Sequence, residues 1–273
     1  MNAPRRWLRA LGLLLALGAL LAPLVWALLG SLSPEADLFE RAHLFPRALV
    51  LEHYRALFAD DTLLEAIRSS LIVATSTTVL CLTLGSLCAY ALARLQFPGR
   101  RALLAFVLAV SMFPQISIVP PLFLLLRALH LIDTYPGLVL PYLTFAMPLS
   151  IWLLFGFFRQ LPPELEEAAR VDGASRLRVL LEIVAPLSAP ALATTAVLTF
   201  IYCWNEFLFA LSFTLGPEHQ TVPVAIALLG GRYQIPWGQV LAAAMVCTAP
   251  VAALVLLFQR RIVHGLVSGA VKG

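Results

Sequence analysis

The sequence predicts an all-α integral membrane protein, and three observations carry that prediction. Hydrophobic residues fill 60% of the 273 positions and charged residues only 12%, about half the usual charged share of a soluble domain. Mean hydropathy is +0.88. Six uncharged runs of 23 to 27 residues alternate with charged segments. One soluble core cannot bury that much apolar surface, because polar residues must coat its outside. A soluble globular enzyme is thereby excluded, and so is a disordered chain, which would be polar and charged.

The runs follow in order. Arg9 and Glu35 enclose 25 uncharged residues, as do Arg68 and Arg94, Arg101 and Arg127, and Asp133 and Arg159; Glu182 and Glu206 enclose 23, and Arg232 and Arg260 enclose 27. A helix needs about 20 apolar residues to cross the hydrocarbon. Six transmembrane helices are therefore expected, at about residues 10–32, 69–93, 102–126, 136–158, 186–208 and 239–259, in one domain of residues 1–273. The first run also has the basic start of a signal peptide. It is longer than the roughly 7–15 residues of a signal core, and no small-x-small cleavage site follows, so it is read as a span.

Arginine and lysine set the orientation. With the N-terminus inside, Arg5, Arg6, Arg9, Arg94, Arg100, Arg101, Arg159, Arg170, Arg176, Arg178, Arg260, Arg261 and Lys272 are cytoplasmic, 13 of the 19 basic residues. The positive-inside rule selects this arrangement, with both termini cytoplasmic. Topology then accounts for the net charge of +4, and no basic stripe remains for nucleic acid. Cys81, Cys88, Cys203 and Cys247 fall in expected spans without C-x-x-C spacing, and the five histidines are scattered. No metal site is expected. In the outer stretch from Ser33 to Arg68, Tyr54, Leu57, Phe58 and Leu64 suggest a short helix at the membrane surface.

The inner segment, residues 159–185, carries the strongest local signal. Pro163 suits the first position of a helix. Glu164, Glu166 and Glu167 suit its first turns, where the helix dipole favours negative charge. Glu166 and Arg170 have the i, i+4 spacing of an exposed ion pair. Gly173 suits a helix end that takes positive φ. A second helix can start at Ser175, with Leu177, Leu180, Leu181 and Val184 on one face, and Pro186 closes the unit. Two short helices joined at a glycine are expected.

The spacing Glu167-Ala168-Ala169, three residues, Gly173, nine residues, Ile183, one residue, Ala185-Pro186 resembles the EAA loop of ABC importer permeases. Ala185 stands where that pattern has Leu. The resemblance implies that this loop, between helices 4 and 5, is a coupling helix that docks into a cleft of a separate ATPase subunit through Glu167, Ala168, Ala169, Asp172 and Gly173. Trp204-Asn205-Glu206-Phe207 and the tail from Gln259 to Gly273 are similar to the shorter subunit of maltose-type permease pairs. The resemblance implies a sister permease, an ATPase dimer that holds ATP and Mg, an extracytoplasmic sugar-binding protein met by outer loops including Gly216 to Gln239, and a bacterial inner-membrane location. The chain itself is expected to bind no cofactor and to catalyse no reaction.

The last point has independent support. A P-loop needs G-x-x-x-x-G-K-[ST], and the single lysine is Lys272. An ATP-driven transporter must therefore draw its ATPase from another polypeptide. Intramembrane polar groups are costly and mark function, which makes Gln115, Trp204, Asn205 and Glu206 the substrate candidates. Two readings of Glu206 stand, a sugar ligand or a carboxylate reaching the interface. Trp204 is likewise a sugar-stacking ring or an interfacial aromatic. Prolines at 114, 120, 121, 136, 141, 148 and 250 are expected to kink spans. A non-sugar solute such as a glycerol-phosphate compound is the alternative cargo. A secondary transporter would place a relay of ionisable groups mid-membrane, and the span centres here hold almost none. Asp172-Gly173 superficially resembles the motif of phospholipid-forming phosphotransferases, but no aspartate follows Asp172.

Overall fold

The structure, a computed structural model, describes residues 3–39, 48–230 and 235–270. Every regular element among them is helical, with no strand. In chain order these are α1 (Ala3–Ser31), α2 (Glu35–Phe39), α3 (Glu52–Leu57), α4 (Thr62–Arg94), α5 (Arg100–Ser111), α6 (Gln115–Ala128) and α7 (Tyr135–Phe158). After these come α8 (Glu164–Val171), α9 (Arg176–Val179), a π turn (Leu180–Val184), α10 (Ala185–Leu187) and α11 (Ala189–Trp204). The remainder holds α12 (Leu208–Phe213), α13 (Val222–Leu228) and α14 (Trp237–Ala270). Residues 271–273 of the expected tail and 231–234 of the expected outer loop lie outside the described residues.

Four helices, α1, α4, α7 and α14, are long and apolar enough to cross a membrane; the count reaches six if each of two bent pairs makes one span. The run 102–126 is one such pair. It divides into α5 and α6, which meet at 94°. Pro114 is extended, with ψ 115°, and a residue before proline, here Phe113, is pushed out of the helical region. The run 186–208 also differs from one straight helix. The helical segment Arg176–Leu187 meets α11 at 83°, and α11 ends at Trp204. Pro190 has no N–H to continue the ladder across Ser188.

Pro186 does not close the inner unit as expected. The π turn before it adds one residue to the ring, which moves the facing carbonyl away from the proline and lets the helix run to Leu187. The other expected prolines do not interrupt the helices that hold them, and Pro136 lies in the first turn of α7. Pro141 and Pro148 lie within α7, Pro120 and Pro121 within α6, and Pro250 within α14.

The chain divides into two compact units, residues 1–64 with 225–249, and residues 65–224 with 250–273. In the first, α14 has no acid in its own first turn. Glu35 supplies one, accepting from the N–H groups of Trp237 (2.9 Å) and Gly238 (3.0 Å). This satisfies two orphan donors and complements the helix dipole. His53 is buried and its Nε2 lies 2.9 Å from the Ser33 carbonyl. A Cβ on Gly238 would run into the His53 ring. The expected surface helix is α3; Leu57 is buried there, while Phe58 and Leu64 are exposed.

In the second unit α7 is the most buried span and packs against α5, α11 and α12. Tyr142, Leu138, Leu154 and Phe158 are fully buried along it. Ser150 of α7 and Thr199 of α11 share a hydrogen bond of 2.9 Å. A Cβ on Gly85 of α4 would lie 3.5 Å from that of Ser150, so the glycine lets the two helices approach.

Gly238→Ala should lower the apparent melting temperature of the detergent-purified chain, by the equivalent of about 1–3 kcal/mol of overpacking. Gly12→Ala, whose Cβ meets nothing within 4 Å, should leave the melt unchanged.

Candidate functional site

The connection from α7 to α11 folds as the expected pair of short helices, and each end has a local cause. Pro163 sits just before α8 rather than inside it. Glu164, Glu166 and Glu167 occupy the first turn. At the other end Gly173 takes φ +84°. The Ala174 N–H then reaches back to the Ala169 carbonyl (2.9 Å) and the Gly173 N–H to the Arg170 carbonyl (3.1 Å), a glycine-dependent helix stop. A Cβ on Gly173 would meet nothing within 4 Å. Backbone conformation, not space, is what requires glycine there. Ser175 caps α9 by accepting from the Arg178 N–H at 3.3 Å.

Glu166 corrects the expected ion pair. It does not pair with Arg170. It is 8% exposed, and its carboxylate accepts from Arg94 Nε at 2.6 Å and from the Tyr90 hydroxyl at 3.0 Å. The same guanidinium donates to the Leu161 carbonyl at 2.8 Å. The last turn of α4 thus grips α8 and the strand of chain leading into it. Charge-assisted contacts of this length are strong when shielded from water. The i, i+4 pair that does form is Arg178 with Glu182, on an exposed face.

An apolar layer lies beneath the clamp. Val179, Leu180 and Val184 pack with Leu92 of α4 and Leu154 and Phe158 of α7, and Ala169 and Ala174 rest against them. Of the five residues expected to dock, Ala169 therefore turns toward the core. Glu167, Ala168, Asp172 and Gly173 are exposed. Beside them, and absent from the expected set, are Leu165 and Val171, the latter 87% exposed. Leu165, Ala168 and Val171 lie three apart, one apolar ridge along α8. One face of α8 is fixed and the other bare.

The substrate candidates separate. Gln115, the first residue of α6, donates to the Tyr202 hydroxyl of α11 at 2.5 Å. Tyr202 is a partner that its sequence position did not distinguish from other span aromatics. Trp204 is 4% exposed and stacked on Phe200 (5.7 Å, 22°), so its ring is engaged within the fold. Asn205 is exposed and donates to the Ile201 carbonyl at 2.8 Å. Glu206 is buried and accepts from the N–H groups of Phe209 (2.9 Å) and Ala210 (3.2 Å). It serves the start of α12, a role neither sequence reading assigned. Among the described residues no group of three or more His, Cys, Asp or Glu side chains is placed to hold a metal ion.

Comparison with known proteins agrees with this architecture. Residues 81–268 match the family described as "Binding-protein-dependent transport system inner membrane component". The chain is 45% identical to the trehalose transport system permease protein SugB of Mycobacterium tuberculosis, over 95% of both chains. It is 43% identical to the trehalose/maltose transport system permease protein MalG of Thermococcus litoralis, over 98% of both. Its fold is similar to a chain of a bacterial ABC transporter involved in the import of the acidic polysaccharide alginate, with TM-score 0.79, 22% identity and coverage of 95% of this chain and 96% of that one.

The clamp has a measurable signature. Glu166→Ala or Arg94→Ala strands a largely buried charge and should each cost about 3 kcal/mol in denaturation of the purified chain. Arg94→Met with Glu166→Leu removes both charges and should recover much of that loss. Single variants that melt like the parent would exclude the clamp.

Proposed function

Because the chain belongs to the family of binding-protein-dependent transport system inner membrane components, we propose that it is the permease subunit of an ATP-driven sugar importer. Its cargo class is a small glucoside such as trehalose or maltose, the sugars in the names of its relatives. It works beside a sister permease, two ATPase subunits that hold ATP and Mg, and an extracytoplasmic sugar-binding protein, in a bacterial inner membrane. In this reading the single domain spans the membrane six times, with each bent pair making one span and both termini cytoplasmic. The excess of arginine in the loops so placed supports that orientation.

The observation that carries the proposal is the two-faced α8. Its Glu166 side is tied to α4, and its Leu165, Ala168 and Val171 side is bare, with Glu167 and Asp172 beside the ridge. A bare apolar ridge edged by acids is what a helix seated in another subunit's cleft presents. Small Ala168 permits close approach. Closure of the ATPase pair around nucleotide moves α8, and the clamp passes that displacement to α4. The layer of Val179, Leu180 and Val184 passes it to α7. The bends at Ser188 and before Pro114 let the following segments reorient, giving alternating access. Nucleotide drives the change by binding the closed ATPase arrangement more tightly than the open one.

For cargo, Gln115 and Asn205 are the proposed ligand-facing groups. Each keeps a carboxamide oxygen without a partner among the described residues. Trp204 and Glu206 hold the segment that presents them.

Glu167→Lys and Val171→Asp should leave insertion and assembly intact. They should lower the ATPase stimulation given by sugar-loaded binding protein at least tenfold, since each 1.4 kcal/mol of lost coupling is about a factor of ten. Radiolabelled uptake unchanged in both variants would remove the docking role. A screen of trehalose, maltose and longer maltodextrins for ATPase stimulation in nanodiscs identifies the cargo, and stimulation by none of them would exclude this class.

A further inference from the structure

We propose that the seam between α5 and α7 is a binding site for one anionic phospholipid, with its headgroup at the Arg100 end and an acyl chain along the helices. It rests on the membrane reading above and is independent of the cargo.

At one end of the seam lies a cavity of about 740 Å³, lined among others by Arg100, Arg101 and Arg159, with Phe97 and Phe155 as apolar walls. That volume is in the range of small-ligand sites. No acid lines it. None of the three arginines has a carboxylate partner among the described residues. Arg94, a few residues earlier, shows the alternative, since its charge is met by Glu166 at 2.6 Å. The Arg159 guanidinium rests 5.6 Å from the centre of the Phe155 ring, which holds one charge at the cavity wall. Three unneutralised guanidinium groups around one concavity call for an anion.

A second feature identifies the occupant. One turn along the same two helices, Phe106, Val107 and Val110 of α5 face Met147 and Ile151 of α7 across an apolar groove of about 300 Å³. Phe106 is 65% exposed. The basic cavity sits where α4 has just ended, α5 begins and α7 ends, the level at which candidate spans leave the hydrocarbon. The groove is a separate concavity on the apolar part of the same two helices, within the reach of an acyl chain from the cavity. A free phosphate would fill only the cavity. A soluble protein would have no cause to extend an apolar strip into the membrane, and a sister permease seated on the strip would still leave the three arginines at its end without an anion. A phosphodiester headgroup with an attached chain matches both ends, and basic pockets between spans are known to take such headgroups.

The full transporter complex, extracted in mild detergent and stripped of lipid, is titrated with phosphatidylglycerol, cardiolipin or phosphatidylcholine while native mass spectrometry counts bound lipid. The parent should take up phosphatidylglycerol or cardiolipin in preference to phosphatidylcholine. Arg100→Gln with Arg101→Gln and Arg159→Gln should weaken the anionic lipids by roughly tenfold or more, given the contribution of each basic residue at such a surface. Phosphatidylcholine should be unaffected. Ala102→Trp keeps the arginines and fills the cavity, and it should reduce anionic binding as far; it also serves if the triple variant does not assemble. Wild-type binding by either variant overturns the site. Displacement of the lipid by equimolar inorganic phosphate would make it a free-anion site instead. Loss of the ATPase subunits or of the sister permease with lipid retained would make it a protein contact. Neither ATP nor sugar enters the measurement, so a failed cargo assignment leaves this result intact.

Discussion

The buried ion pair between Arg94 and Glu166 is the constraint on which the rest of the second unit depends. A guanidinium at the end of a long apolar helix must find an acceptor or reach water. Here it finds Glu166, and through the Leu161 carbonyl it also fixes where the chain leaves α7. That geometry converts a charged loop into a rigid arm. Loops without such anchors fray and move independently of the helices they join. With the anchor, α8 is tied to α4, and in the proposed cycle a displacement of one would carry the other.

The apolar layer under the clamp reinforces it by a different force. Leu92, Leu154, Phe158, Val179, Leu180 and Val184 bury their side chains together. Ala169 and Ala174 must be small for α8 to lie flat on that layer. The alanines of the loop thus divide their work, Ala169 and Ala174 toward the core and Ala168 on the bare ridge. The π turn at Leu180–Val184 belongs to the same compromise. It keeps Leu180 and Val184 inward while accommodating Pro186 two residues later.

Much of this was legible in the sequence, and the part that was not has a common cause. Charge-free runs located the membrane-length segments, because a charge in hydrocarbon is costly whatever the tertiary fold. Gly173 and Ser175 were readable because helix stops and caps are decided within a few residues. Glu166 was misread because its neighbour at i+4 is visible in the sequence, whereas its actual partner lies 72 positions away. Trp204 beside Asn205 and Glu206 reads as a sugar platform, but Phe200 covers its ring. The bend at Pro114 has no local mark that separates it from Pro141 and Pro148, across which α7 runs unbroken. Packing on both sides of a proline, not the proline alone, decides whether a helix breaks.

The placement of stiffness and compliance follows from the division of labour. The chain has one lysine, next to its last residue, and no phosphate-binding loop, so the force for any ATP-driven cycle arrives from outside. Force received at a surface is useful only if little of it is spent deforming the receiver. The second unit meets that condition with an ion pair and a packed layer at α8, the proposed point of entry. Of its two sharp bends, the 83° one falls just beyond the layer, and the 94° one lies between α5 and α6, earlier in the chain than α8. A loose α8 with a straight fifth segment would reverse this order and dissipate the stroke before it reached a span. In the proposed cycle, rigidity at α8 with a bend just beyond the layer would let a small push become a change of access.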